Sequence, residues 1–468
     1  MESGRQIVRN IRQEIFVPPI IGLTNWLYPI PQGWGGKITK TNKFLNESDS
    51  QFSDLKLQSP TNTDKPTTEK GFFEHTIETF IMKRSFSSNS LIKSTRRFGL
   101  PSIGFSGAGF LGAYHVGVAS CLLKHNHLLQ PMERINYDEY NKVEKGSIIS
   151  RPPLLTGVSA GAIVSAAISA GVRSDDAMNV LYEINDRTNT KSNVILNSLT
   201  PGFSLLDQVE DVITSAMQVA LGGSADNPND YDNDLLMNRI DHGKLLRIGI
   251  MDARDFATNM IKNAGNAAVK GNLEMYVYAS KYRDLKDIVS ASIISSYVPI
   301  GTGPLPKNTN NGDNAAVKRA FDRVKEMEEL GYLKHGITDE TIQSKNDDSD
   351  CKHGELTPET SINEVYYWDG GIVNMFPTID EKTVMVTPLN CSFSNPFIAP
   401  DALSRNNRYI NVDDNVSVGM NMQNMKLLLK MLRSSDPSYL DEKFTNGYDD
   451  TRKYLKERNL LTVFNEVK

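Results

Sequence analysis

Ser159 stands between two glycines in Gly157-Val158-Ser159-Ala160-Gly161, and Asp369 opens the string Asp369-Gly370-Gly371. A serine hydroxyl becomes a useful nucleophile when a neighbouring base takes its proton. In a nucleophile elbow the serine occupies a strained strand-to-helix turn, and the residues two before and two after must be small so that strand and helix can approach. Gly157 and Gly161 meet that requirement. The other reading of this string is a glycine-rich core turn, and Asp-Gly by itself is an ordinary turn signal.

A third string, Gly107-Ala108-Gly109-Phe110-Leu111-Gly112, follows a strand pattern and opens a helical one. It fits the dinucleotide fingerprint, with Glu133 placed 21 residues on as a ribose-binding acid. It equally fits an anion cradle, because glycines admit close backbone approach and a helix start presents free N–H groups. An oxyanion formed during acyl transfer needs that same device. A plain tight turn is the third possibility.

A histidine base fits the serine poorly. No histidine follows Asp369, His335 and His353 fall in a polar stretch, His242 precedes a strand, and His115, His125 and His127 come before the serine. The chain order Ser, acid, His of α/β-hydrolases is therefore missing, and a carboxylate is the economical base. His125-Asn126-His127 reads as a polar helix end rather than a metal site.

The elements that must position these groups follow an α/β pattern. Strands are predicted at Ser102–Phe105, Leu154–Thr156, Leu246–Met251, Met275–Ala279, Val365–Trp368 and Thr383–Val386. Helical stripes run through Leu205, Val209, Val212, Ala216 and Val219, and through Val418, Met422, Met425, Leu429 and Leu432; both are expected to face the core, with a membrane-facing role for either as the alternative. Alternating strands and helices predict a mainly parallel sheet with its site at the strand C-terminal ends. Residues 307–364 read as a surface insertion holding one helix, with Asp313 before it and Gly331 after it, and with no catalytic part.

Residues 1–98 form an amino-terminal extension expected to be partly disordered. Residues 4–16 suit a short amphipathic helix, and 43–70 a flexible linker. Lys83, Arg84, Lys93, Arg96 and Arg97 suit either an anionic lipid surface or a solvated linker end.

Across 468 residues, 51 basic against 56 acidic side chains leave a net charge of −5, which argues against nucleic acid as a partner. Three cysteines, Cys121, Cys351 and Cys391, make neither a disulfide framework nor a zinc site and suit a reducing compartment. Pro101 to Leu123 and Leu154 to Val172 lack formal charge, but glycines and small polar residues break both, so they read as buried core. The charged start of the chain has no signal-peptide character, which predicts a cytoplasmic protein.

Taken together and in order, these strings resemble the patatin-like phospholipase family, most nearly its adipose triglyceride lipase and adiponutrin branch. The resemblance is carried by Phe105 to Gly112 running on through Tyr114 to Leu122, by Gly157 to Gly161, and by Asp369-Gly370-Gly371. Tyr297-Val298-Pro299-Ile300 and Asn446-Gly447-Tyr448 add to it. It implies a three-layer α/β/α domain over 99–465. Ser159 would be the nucleophile, Asp369 the proton acceptor, and the amides of Gly107, Ala108 and Gly109 the oxyanion hole. Gly112, Gly157, Gly161, Gly370 and Gly371 would be motif glycines.

The resemblance also implies no metal, no nucleotide and no other cofactor. It implies hydrolysis of triacylglycerol or phospholipid esters at a lipid-droplet or membrane surface, with a protein activator as a further partner. A catalytically weak regulatory protein that keeps the fold is the alternative. Ala108 departs from the family's glycine-rich loop, and Leu111 stands where many members have a basic residue; both changes favour neutral acylglycerols.

Overall fold

A strand covered on both faces needs no polar side, and Ser102–Phe105 (β1) is buried at all four positions. The structure, a computed structural model, describes residues 98–135, 151–191, 204–224, 227, 230–240, 245–254, 275–299, 302, 315–335, 366–400, 408–411, 416–431 and 436–461. The readings made for the amino-terminal extension and for Cys351, His242 and His353 lie outside the described residues.

β1 leads through a single 3-10 turn, Gly109–Leu111, into α1 (Gly112–Lys124). β2 (Leu154–Gly157) leads into α2 (Ala160–Ala170), followed by α3 (Ser174–Lys191), α4 (Leu205–Ala220) and α5 (Asn233–Arg239). β3 (Leu246–Asp252) and β4 (Tyr276–Ala279) precede α6 (Leu285–Ser295), α7 (Ala315–Glu329) and β5 (Leu333–His335). Then come β6 (Tyr367–Asp369), β7 (Val384–Val386), β8 (Cys391–Phe393), β9 (Phe397–Ile398), β10 (Arg408–Asn411), β11 (Val416–Met420), α8 (Met422–Met431) and α9 (Pro437–Glu457).

The main sheet has the order β5-β4-β3-β2-β1-β7-β9, with β6 pairing β3 off this path. β3, β2, β1, β7 and β9 run parallel, while β4, β5 and β6 join antiparallel. β10, β11 and β8 form a separate antiparallel sheet. β1 has β2 on one side and β7 on the other, so the chain reverses its order of strand addition there. In a parallel α/β sheet that switch point opens a crevice beyond the strand C-termini.

Helix ends account for much of the local order. Ser204 accepts from the Asp207 amide at the start of α4, and Asp284 accepts from the Asp287 amide at the start of α6. The buried guanidinium of Arg239 donates to the carbonyls of Ile168 and Ser169 at 3.3 and 2.7 Å, which satisfies the C-terminal end of α2 with a cation. The backbones of α1 and α9 cross where Gly117 and Gly447 leave no room for a side chain: a β-carbon on either would sit 2.0 or 2.1 Å from a carbonyl of the other helix. That contact explains the Asn446-Gly447-Tyr448 string.

Two expectations are overturned. The 307–364 segment is not a surface excursion where it is described. Val317, Ala320, Phe321, Val324 and Met327 of α7 lie in the main hydrophobic cluster, and β5 extends the central sheet beside β4. Its helical period marked one apolar face, and that face is buried against the domain instead of merely shielding itself. The stripe from Val418 to Leu432 is not one core-facing helix either. Val418 belongs to β11, the helix starts at Met422, and Met422 and Leu429 point to solvent. Among the described residues no helix is long and apolar enough to cross a membrane.

Candidate active site

Strand register brings Ser159 and Asp369 together. β3 has two edges, and β4 occupies one of them from Ile248 to Met251. The other edge is shared in succession: β2 pairs as far as Gly157 opposite Ile248, and β6 then takes over with Asp369 opposite Ile250. The chain leaves β2 just where β6 arrives, so Ser159, two residues past Gly157, meets Asp369, opposite a residue two past Ile248.

Ser159 sits at φ 54° and ψ −131°, a strained conformation for a residue with a β-carbon, at the N-terminal boundary of α2. Such a turn is possible only if strand and helix close on each other. A β-carbon on Gly157 would lie 2.3 Å from the Gly161 carbonyl, and one on Gly161 would lie 2.3 Å from the Phe105 carbonyl. The serine side chain is half-buried, whereas Asp369 is 6% exposed.

The Ser159 hydroxyl lies close enough to the Asp369 carboxylate to favour its charged form. The Gly371 amide donates to Oδ1 of Asp369 at 2.7 Å, the service that the Asp-Gly-Gly turn provides. Burial raises the Asp369 carboxyl to about 7, although the Gly371 amide and the Ser159 hydroxyl both favour its charged form. Gly370 and Gly371 form the short 3-10 turn after β6, and a β-carbon on Gly370 would lie 2.4 Å from the Gly249 carbonyl.

Ser295, at the C-terminal end of α6, was not legible as a site residue. Its carbonyl and hydroxyl both accept from the Ser159 amide, at 3.1 and 2.9 Å. The same hydroxyl donates to the Gly249 carbonyl at 2.6 Å. Two residues on, the Tyr297 carbonyl accepts from the Asp369 amide at 2.9 Å. The end of α6 thus holds the backbone of both Ser159 and Asp369. The only sequence trace of this was a serine-rich helix end, Ser290, Ser292, Ser295 and Ser296.

The glycine turn lies alongside. The α-carbon of Gly107 faces Ser159, since a β-carbon there would lie 3.7 Å from that of the serine. Its amide, however, donates to the Met375 carbonyl at 3.2 Å and does not point freely into the site. The amides of Ala108 and Gly109 make no backbone hydrogen bond among the described residues, as befits a helix start. Gly109 has φ 50°, and a β-carbon there would lie 2.1 Å from the Met431 carbonyl at the end of α8, so only glycine fits. Gly112 opens α1.

The histidines near the site serve structure. His115 is fully buried edge-on against the Phe105 ring, and burial lowers it to about 3, which keeps it neutral. His127 bonds the Leu460 carbonyl through Nε2 at 2.9 Å and receives the Gly99 amide on Nδ1 at 3.2 Å. Glu133 accepts from the amide of Gln130 in its own turn.

Fold and site together define a class of α/β protein in which a serine on a strained strand-to-helix turn lies beside a buried carboxylate. The chain belongs to the patatin-like phospholipase family, whose model matches residues 104–380. It is 22% identical over 361 residues to human patatin-like phospholipase domain-containing protein 2, covering 77% of this chain and 49% of that protein. The cow protein of the same name is 21% identical over 361 residues, 77% of this chain and 51% of the relative. Human 1-acylglycerol-3-phosphate O-acyltransferase PNPLA3 is 21% identical with the same two coverages, 77% and 51%. The chain spans about half the length of the curated relatives it matches. Among solved structures, VipD from Legionella pneumophila aligns over 81% of this chain and 72% of its own, at 13% identity and a TM-score of 0.28.

Proposed function

We propose that this chain is a serine lipid acyl hydrolase that cleaves carboxylic esters of acylglycerols, triacylglycerols or phospholipids, through Ser159 and Asp369. The approach of the Ser159 turn to a buried carboxyl along one edge of β3, with that carboxyl raised to about 7 by burial, is the observation that carries the reading. An ordinary aspartate is too weak a base to help near neutral pH, and a desolvated one is matched to the task.

In the first half-reaction Asp369 takes the hydroxyl proton as Ser159 Oγ bonds to the ester carbonyl carbon. The resulting oxyanion is held by the amides of Ala108 and Gly109; each such donor is worth roughly 3–4 kcal/mol. Collapse breaks the ester C–O bond, and the leaving alcohol carries away the proton from Asp369. Water, deprotonated by the same carboxylate, then releases the fatty acid from Ser159. An alcohol acceptor in place of water would give acyl transfer. That second reading is favoured by the relative named as an acyltransferase. On this reading the substrate lies in a membrane or lipid-droplet surface, which the protein reaches peripherally from the cytoplasm.

The test compares triolein and phosphatidylcholine hydrolysis by wild type, Ser159→Ala and Asp369→Asn. Both variants should lose at least about a thousandfold in kcat while keeping the fold. Retained turnover in either one overturns the pairing.

A further inference from the structure

Five large hydrophobic side chains are exposed among the described residues, and the two most exposed share one helix. Met422 is 71% and Leu429 68% exposed on α8, in a sequence whose period alone would have turned them inward. At about 100° per residue, Met422, Lys426 and Leu429 fall within roughly 60° of one another around the helix, so they form a single outward stripe. Leu427, on the other side, is buried in a cluster with Ala108 and Leu111 of the glycine turn.

Charge completes the pattern. The chain from 415 to 435 contains no Asp or Glu, while Lys426, Lys430 and Arg433 fall inside it. Lys426 and Lys430 are exposed. Asp413 and Asp414 adjoin this stretch in the chain; on its other side Asp436 binds the amide and hydroxyl of Ser438 and also feels the charge of Lys430, Asp441 accepts from the Tyr182 hydroxyl, and Glu442 pairs with Lys443 at 2.8 Å. Lys430 and Lys443 lie over the Tyr439 ring, at 4.9 and 4.7 Å from its centre. Apolar side chains flanked by lysines suit the boundary between anionic headgroups and acyl chains.

We propose that the outer face of α8 docks the protein onto a lipid surface bearing anionic headgroups. The position of the helix gives the docking a purpose. Its last carbonyl, that of Met431, is seated against Gly109 in the turn beside Ser159. The docked helix would hold the glycine turn, packed on its inner side, about one helix diameter (~10 Å) from the lipid from which substrate must come. The proposal rests on the lipid-ester reading of the site, but it concerns binding and not chemistry.

Cosedimentation of the full chain with phosphatidylcholine vesicles, with and without phosphatidylserine, tests it. Wild type should bind the phosphatidylserine vesicles more tightly, and salt should weaken that preference. Met422→Ser with Leu429→Ser should weaken binding to both vesicle types by about tenfold or more. Lys426→Gln with Lys430→Gln should weaken binding about tenfold or more on the anionic vesicles alone. Thermal midpoints equal to wild type show that both double variants are folded.

Ser159→Ala should bind as wild type does, so docking can stand even if Ser159 proves not to be the nucleophile. Wild-type binding by either folded double variant overturns the proposal. A stable dimer of wild type that the Met422 and Leu429 changes dissolve also overturns it, because a second copy would then be the cover.

Discussion

The Ser159 amide donates to the Ser295 hydroxyl at 2.9 Å, and that hydroxyl donates onward to the Gly249 carbonyl at 2.6 Å. One side chain thus pins the strained elbow to β3, the strand whose edge also carries Asp369. Ser295→Ala keeps the carbonyl contact to Ser159 but frees the elbow from β3. It should lower stability by about 1–2 kcal/mol and kcat by about tenfold with little change in KM, since misplacement by a fraction of an ångström weakens proton transfer. A kcat equal to that of wild type would show the elbow is held without it.

Activity should follow the Asp369 carboxyl. As a base it must be ionised, so kcat/KM should climb with pH through about 7 and level off above it. A profile already flat from pH 5 upward would mean a base other than this buried carboxyl.

Stability should run the other way. A carboxyl raised from its unfolded value binds its proton more tightly in the folded state, so its support for folding is fully present below the unfolded pKa of about 3.9 and is lost as pH rises through about 7. At pH 8 the native protein carries a buried charge that costs up to about 4 kcal/mol, three pKa units at 1.36 kcal/mol each. Asp369→Asn should therefore be inactive yet more stable at pH 8, by roughly 2 kcal/mol after loss of some hydrogen bonding, with the gain gone near pH 4. Chemical denaturation at both pH values measures it, and a destabilised variant at pH 8 contradicts the assignment.

Phe321 reports on the 307–364 segment. Its ring meets Tyr366 edge-on at 5.0 Å and belongs to the main hydrophobic cluster. Phe321→Ala should cost about 3–5 kcal/mol, as core truncations do. A surface excursion would lose about 0.5 kcal/mol or less. Urea unfolding separates the two.

The local pieces were legible from neighbouring residues alone. Gly157 and Gly161 had to flank a tight strand-to-helix turn because nothing larger permits that approach, and Asp369 had to cap its own Asp-Gly-Gly turn. The strands near the site and the amphipathic period of α7 were equally legible, since each depends on neighbours in the chain. Which pieces meet and which faces are covered depends on contacts between distant parts of the chain. Ser159 and Asp369 come together because β2 ends and β6 begins along one edge of β3, a register set by long-range pairing. The bond from Gly107 to Met375, the hydroxyl bridge of Ser295 and the exposure of Met422 and Leu429 are of the same kind. Periodicity shows that a helix has an apolar side, but only packing settles what lies against it.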